Sequence, residues 1–272
     1  MPDAMPPTPT ADVNGITLTL TDRGEGPVLL LLHGHAYDRS MWDRQVEVFA
    51  AQGWRVVAPD LRGFGGSGIT EGIVYTEEFA DDVAALLDRL GIDEAVVVGF
   101  SMAGQIALEL VHRHPQRVRA LVVNDTVPQA EDAAGRRRRH VTADAMLTGG
   151  MAAYGRNVLD RMIAEYNVEA QPGTAARVLA MLQGAPAKGA AAAMRGRAER
   201  RDFTGLLPGL TIPVLVVVGA DDPFDGGAGR RMAELVPGAR LVVFDGAGHT
   251  PNMEQPEAFD RALGEFLRHL PA

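Results

Sequence analysis

Six short apolar runs, each closed by turn residues, set the strongest limit on how this chain folds. They occupy residues 27–33, 54–58, 95–99, 120–124, 214–219 and 241–244. None has the polar alternation of a strand with one wet face. Such runs are strands buried on both sides, the mark of a parallel sheet covered by helices. Helical patterns lie between them. In 76–90, Phe79, Val83, Leu86, Leu87 and Leu90 share one face, Glu77 and Glu78 sit in the first turn, and Gly91 follows the end. The last helix repeats the pattern with Phe259, Leu263, Phe266, Leu267 and Leu270. Strands alternating with helices predict an α/β class and a doubly wound sheet. Ahead of the first run, Asn14-Gly15 followed by the alternating Ile16 to Leu20 predicts a hairpin.

From 126 to 210 the rhythm stops. This stretch holds no strand-like run, only Ala-, Arg- and Met-rich helical sequence punctuated by Gly149-Gly150, Gly155, Gly173 and Gly189. The expected organisation is a core of residues 1–125 and 211–272 with a helical cap of 126–210 inserted in it. A chain of 272 residues is long enough for one such domain. The net charge of −9 argues against nucleic acid or an anionic membrane surface as partner. The absence of cysteine excludes disulfides, thiolate nucleophiles and Cys-type metal sites, and it suits a cytoplasmic protein. No run reaches the length of a membrane span, and residues 1–11, with four prolines and no apolar segment, read as a frayed start rather than a secretory signal.

The chemistry begins at Gly99-Phe100-Ser101-Met102-Ala103-Gly104, which follows a strand and opens a helix over 105–114. A sharp strand-to-helix turn exposes a serine hydroxyl and needs small residues two positions to either side, here Gly99 and Ala103. Ser101 could instead merely cap the helix, but only Ser40, Ser67 and Ser101 occur in the whole chain. A serine hydroxyl needs a base oriented by a third group. His249, in the glycine-flanked loop Gly246-Ala247-Gly248-His249 after the 241–244 strand, is the best-placed imidazole. For the acid, Gly219-Ala220-Asp221-Asp222 follows a strand and offers two aspartates, with Asp125 a third candidate. Asp222 is favoured, leaving Asp221 a turn residue and Asp125 a structural one. An oxyanion needs two N–H donors. The amides of Met102 and His35 stand in the expected places, with Gly34 allowing close approach; the His35 side chain has no unique reading.

These motifs, together with His33-Gly34, Asp60 to Ser67 and Gly248-His249-Thr250-Pro251, resemble the α/β-hydrolase superfamily across nearly the whole chain. They look most like its small bacterial serine esterases, enol-lactonases and cofactor-free haloperoxidases (perhydrolases). The resemblance implies a mostly parallel eight-stranded sheet with a helical cap, and it gives Asp222 the acid position. It also implies that Asp60 and Arg62 fix loops rather than react. Departures are Ala103 where glycine is common and Asp225-Gly226-Gly227 after the acid. The implied reaction is cleavage of a carboxylic ester or lactone of a small, largely apolar molecule through an acyl-enzyme, with no metal or organic cofactor. Gly34, Phe100, Met151 and Tyr154 are the expected substrate contacts. Carbon–carbon bond hydrolysis or perhydrolysis by the same triad is the first alternative. A non-catalytic small-molecule receptor is the second. Arg136 to Arg139 point around a helix and are expected to be mostly solvated.

Overall fold

The computed structural model describes residues 8–271. Its eight strands are β1 (Thr10–Val13), β2 (Ile16–Arg23), β3 (Val28–Leu32), β4 (Arg55–Pro59), β5 (Ala95–Phe100), β6 (Val118–Asn124), β7 (Val214–Gly219) and β8 (Arg240–Phe244). They form one sheet in the order β1-β2-β4-β3-β5-β6-β7-β8, antiparallel only at β1/β2 and β2/β4. Of the expected frayed start, residues 1–7 lie outside the described residues, whereas Thr10 and Ala11 belong to β1. The hairpin turns on Asn14 (φ 42°) and Gly15 (φ 78°), the paired positive φ of the turn type whose twist matches the strands.

The apolar runs are strands because both faces are covered. Leu29 to Leu32, Val96 to Val98 and Val214 to Val218 are almost wholly enclosed, and each such side chain contributes about 1.5–3 kcal/mol. Helix α1 (Asp43–Ala50) connects β3 to β4, α2 (Thr76–Arg89) connects β4 to β5, and α3 (Met102–Arg113) connects β5 to β6. The chain steps one way from β3 to β4 and the other way from β4 to β5. With right-handed crossovers, that reversal puts α1 and α2 on opposite faces. It also makes the gap between β3 and β5 a topological switch point, the place where sheets of this kind bind ligands.

Between β6 and β7 lie only helices and loops: α4 (Ala133–Met162), α5 (Glu165–Ala170), α6 (Pro172–Gly184) and α7 (Ala187–Ala198). The expected glycine punctuation is real only at Gly150, whose φ of 78° and ψ of 161° break α4. Gly155 and Gly189 are instead close-packing positions inside helices. A Cβ on Gly189 would lie 2.0 Å from the Gly63 carbonyl, and one on Gly196 would lie 1.7 Å from that of Val74. Helix α7 therefore rests backbone against backbone on the core. The chain closes with α8 (Ala228–Leu235), α9 (Pro251–Glu254) and α10 (Pro256–Arg268). No helix among the described residues is long and apolar enough to cross a membrane.

Candidate active site

Five loops at the carboxyl end of the sheet converge beside the switch point. Ser101 closes β5 with φ 53° and ψ −113°, a conformation that L-residues avoid and that must be held from outside. Its N–H donates to the Asn124 carbonyl (2.8 Å), and its own carbonyl accepts from Thr126 Oγ1 (2.7 Å). The turn is possible because a Cβ on Gly99 would lie 2.3 Å from the Ala103 carbonyl, and one on Gly104 would lie 2.5 Å from Thr126. Glycine is thus demanded at 99 and 104, while the fully buried Ala103 is accommodated. Helix α3 starts at Met102, three residues earlier than the sequence pattern suggested, so its N-terminus abuts the serine.

His249 Nε2 lies 2.8 Å from Ser101 Oγ, and His249 Nδ1 lies 2.9 Å from Asp222 Oδ2. The remaining Asp222 oxygen accepts the Phe224 N–H at 2.9 Å. With Nδ1–H donated to the carboxylate, Nε2 is the free base facing the hydroxyl. The rings of Phe100 and Phe224 flank the imidazole at 5.0 and 4.9 Å. Asp221 does not reach His249; its Oδ2 accepts from Tyr166 O–H at 2.6 Å, which pushes that phenol up to about 12. The amides of His35 and Met102 have no acceptor among the described residues. Two unengaged N–H groups beside a serine can stabilise a developing oxyanion.

The supporting residues are partly those named from sequence. His33 donates from Nδ1 to Gly34 and accepts the Leu61 N–H on Nε2, which fixes its neutral form. Asp60 holds Arg39 and the Gly66 N–H, and Arg62 grips Asp82 through two hydrogen bonds of 2.7 and 2.6 Å. Asp225 takes the N–H groups of Gly227 and Gly229 and so caps α8, which accounts for the unusual glycines after the acid. The side chain of His35 bonds the Ala190 carbonyl at 2.8 Å; burial first, then Arg197, lowers its pKa to about 3, so the ring is neutral.

Among the expected substrate contacts, Gly34 faces the serine: a Cβ there would lie 2.7 Å from the Phe100 ring and 3.2 Å from Ser101 Cβ. Phe100 itself is fully enclosed, with Tyr37 edge-on at 5.3 Å, so its ring is wall rather than free binding surface. Tyr154 stands edge-on to His35 at 6.2 Å, on the site's side of α4. Met151 is buried beside the break in α4, within the packed core. Tyr166 and Leu147, also on the inserted helices, are exposed. Of the four arginines, Arg136 to Arg138 are solvated and Arg139 turns inward to Glu131.

Beside the triad stand Glu254, which has no role from sequence, and Asp125, which reads there as a structural residue. Glu254 is buried and collects the N–H groups of Gly248, Thr250 and Ala164 with the Asn167 amide, tying the histidine loop to the inserted helices. Asp125, with φ 48°, accepts the Gly219 N–H at 2.8 Å and brings a second carboxyl beside Asp222. Burial first, then the charge of Asp222, raises Asp125 well above the usual carboxylate range. Asp125, Asp222 and His249 also form the one cluster among the described residues close enough to hold a metal ion. Asp222 and His249 are already bonded to each other, which fits a proton relay better than a cation cage.

The family model for the alpha/beta hydrolase fold matches residues 27–256. An esterase structure from Thermogutta terrifontis superposes with a TM-score of 0.92 at 35% identity, covering 97% of this chain and 98% of that one. The enol-lactonase of Burkholderia xenovorans superposes at 0.89 with 30% identity, over 96% and 100%. A 2-hydroxymuconate semialdehyde hydrolase from Pseudomonas is 31% identical over 93% of this chain and 91% of its own. With its sheet order and family match in agreement, the chain belongs to the α/β-hydrolase fold family.

Proposed function

We propose that this protein is a serine hydrolase of small carboxylic esters or lactones, with Ser101 as nucleophile, His249 as base and Asp222 as the acid that orients it. The observation that carries the reading is the unbroken relay from Ser101 Oγ through His249 to Asp222, at 2.8 and 2.9 Å. The Ser101 hydroxyl attacks the acyl carbon as its proton passes to His249 Nε2, and the carbonyl oxygen becomes an oxyanion facing the His35 and Met102 amides. The C–O bond to the leaving alcohol then breaks while His249 returns the proton to that oxygen. Water, deprotonated in turn by His249, attacks the acyl-enzyme and releases the acid and free Ser101. Residues 126–210 serve as a cap that closes the chamber and selects the acyl group.

Hydrolysis of p-nitrophenyl acetate through octanoate by wild type and Ser101→Ala tests this directly. Wild type turns over at least one member, and Ser101→Ala loses about 10⁴-fold or more with its fold intact. Substantial activity in Ser101→Ala would mean another nucleophile. The relatives include a 2-hydroxymuconate semialdehyde hydrolase and a bifunctional esterase/perhydrolase. Inactivity on every ester would therefore favour carbon–carbon cleavage or peroxide acylation by the same three residues.

A further inference from the structure

Where the inserted helices meet the helix that follows Ser101, three arginines gather around Glu131. Arg139 on α4 and Arg200 just past α7 both bind Glu131, at 2.5 and 2.7 Å. Arg197 on α7 has no carboxylate partner among the described residues. Its one hydrogen bond is long, 3.4 Å from Nε to Gln105 Oε1, and Gln105 lies one helical turn beyond Ser101. Neither Nη nitrogen bonds any of the described residues, and neither is sealed off among them. The residue is half-buried and keeps accessible surface among the inserted helices.

The neighbours of its tip tie it to the active site. Arg197 acts electrostatically on His35, whose amide faces the oxyanion position, and on Tyr154, which stands edge-on to His35. Burial first, then the charges of Arg139 and Arg200, works against the Arg197 proton. A guanidinium does not give up its proton under such pressure. An unpaired cation drawn out of water is unfavourable unless an anion joins it. Glu131 and, acting on Arg200, Asp202 set two negative charges against these three positive ones, and Arg197 is the one left without an acceptor among the described residues.

We propose that Arg197 is the receptor for a carboxylate on the substrate, so that the preferred esters or lactones are those of dicarboxylic acids, with the free carboxylate gripped by Arg197 while Ser101 attacks the other end. This rests on the serine-hydrolase reading above. Two parallel N–H donors match a carboxylate edge-on, and the charge left over in the cluster at the chamber is that of one guanidinium. The sequence expectation of a largely apolar substrate is thereby narrowed: apolar through its middle, anionic at the end remote from the scissile bond.

The test compares monomethyl succinate, glutarate and adipate with methyl butanoate, pentanoate and hexanoate, pairs in which a carboxylate replaces a terminal methyl. Wild type is expected to favour the anionic member of at least one pair in kcat/KM by about tenfold or more. Arg197→Met should bring that ratio to about one, Arg197→Lys should keep part of it, and the solvated control Arg137→Met should leave it unchanged. No preference in wild type, or an equal loss on both members of a pair, overturns the proposal. A binding readout separates it from the hydrolase reading. Glutarate should raise the Tm of Ser101→Ala in full, that of Ser101→Ala/Arg197→Lys only in part and that of Ser101→Ala/Arg197→Met not at all, with the lysine pair deciding the matter if Arg197→Met fails to fold. Arg197-dependent stabilisation without turnover of any ester would sink the hydrolase reading and leave the carboxylate site standing. Equal stabilisation by sulfate, or stabilisation that ignores residue 197, would sink the site.

Discussion

At the scale of single residues, Asp125 has the most unusual position. Its backbone occupies the left-handed region, which Asp and Asn tolerate far better than Ala. One carboxyl oxygen takes the Gly219 N–H, and the other is buried with no donor aimed at it. With Asp222 beside it and its pKa well raised, the group is a neutral acid whose O–H can donate to the Asp222 carboxylate. A folded pKa above the unfolded one means a contribution to stability that is present at low pH and lost as pH rises through the folded value. Asp125→Asn keeps both the backbone preference and a donor, and it cannot ionise. Its Tm should therefore hold better than wild type's as pH rises above about 4, with ester activity within a few fold. Asp125→Ala should lose about 1–3 kcal/mol at any pH, because the Gly219 N–H and Asp222 are both stripped of a partner. Parallel melting curves for wild type and Asp125→Asn across that range would mean that Asp125 is already ionised.

At the scale of elements, the strands and the elbow were legible because their signals are local. A run such as Leu29 to Leu32 is apolar because both sheet faces are covered, and Gly99 is glycine because the chain doubles back onto Ala103 four residues on. Asp222 could be preferred to Asp221 only by its place after Gly219, since both follow the same strand. The roles of Glu254 and Arg197, and the partner of the structural Asp125, were illegible for a common reason: the partners lie 90, 92 and 94 residues away at Ala164, Gln105 and Gly219. A sequence pattern records spacing along one element, not which loop lands on which. Glu254 shows the consequence, since the end of the short α9 orders both the histidine loop and the α4–α5 junction. Glu254→Ala leaves at least three buried N–H groups without an acceptor and should cost about 2–4 kcal/mol while lowering kcat. Glu254→Gln should recover part of each. Thermal melts and steady-state kinetics on the two variants check this, and a Glu254→Ala protein of wild-type Tm would show the clamp to be ornamental.

At the scale of the whole molecule, acid is the vulnerable side. His35 is buried with a pKa lowered to about 3, and burial lowers His33 as well. Their unfolded forms take up protons that the native ones refuse, so stability rises with pH from the folded value to the unfolded one and falls as the solution is acidified through that window. Between pH 6.5 and 5, His35 alone should cost roughly 2 kcal/mol. The difference in Tm between wild type and His35→Asn, followed over that interval, isolates its share; a constant difference would mean that the ring takes up a proton in place.

The seating of α7 decides which parts of this enzyme can be redesigned. A helix whose Gly189 and Gly196 touch the carbonyls of Gly63 and Val74 has no room for a single added carbon along that seam. Substitution there would unseat the helix that carries Arg197. Helix α4, already broken at Gly150, instead meets the site through a side chain, with Tyr154 edge-on to His35. A library aimed at new acyl groups belongs on that helix, with the glycine seam left as the fixed reference against which every variant is measured.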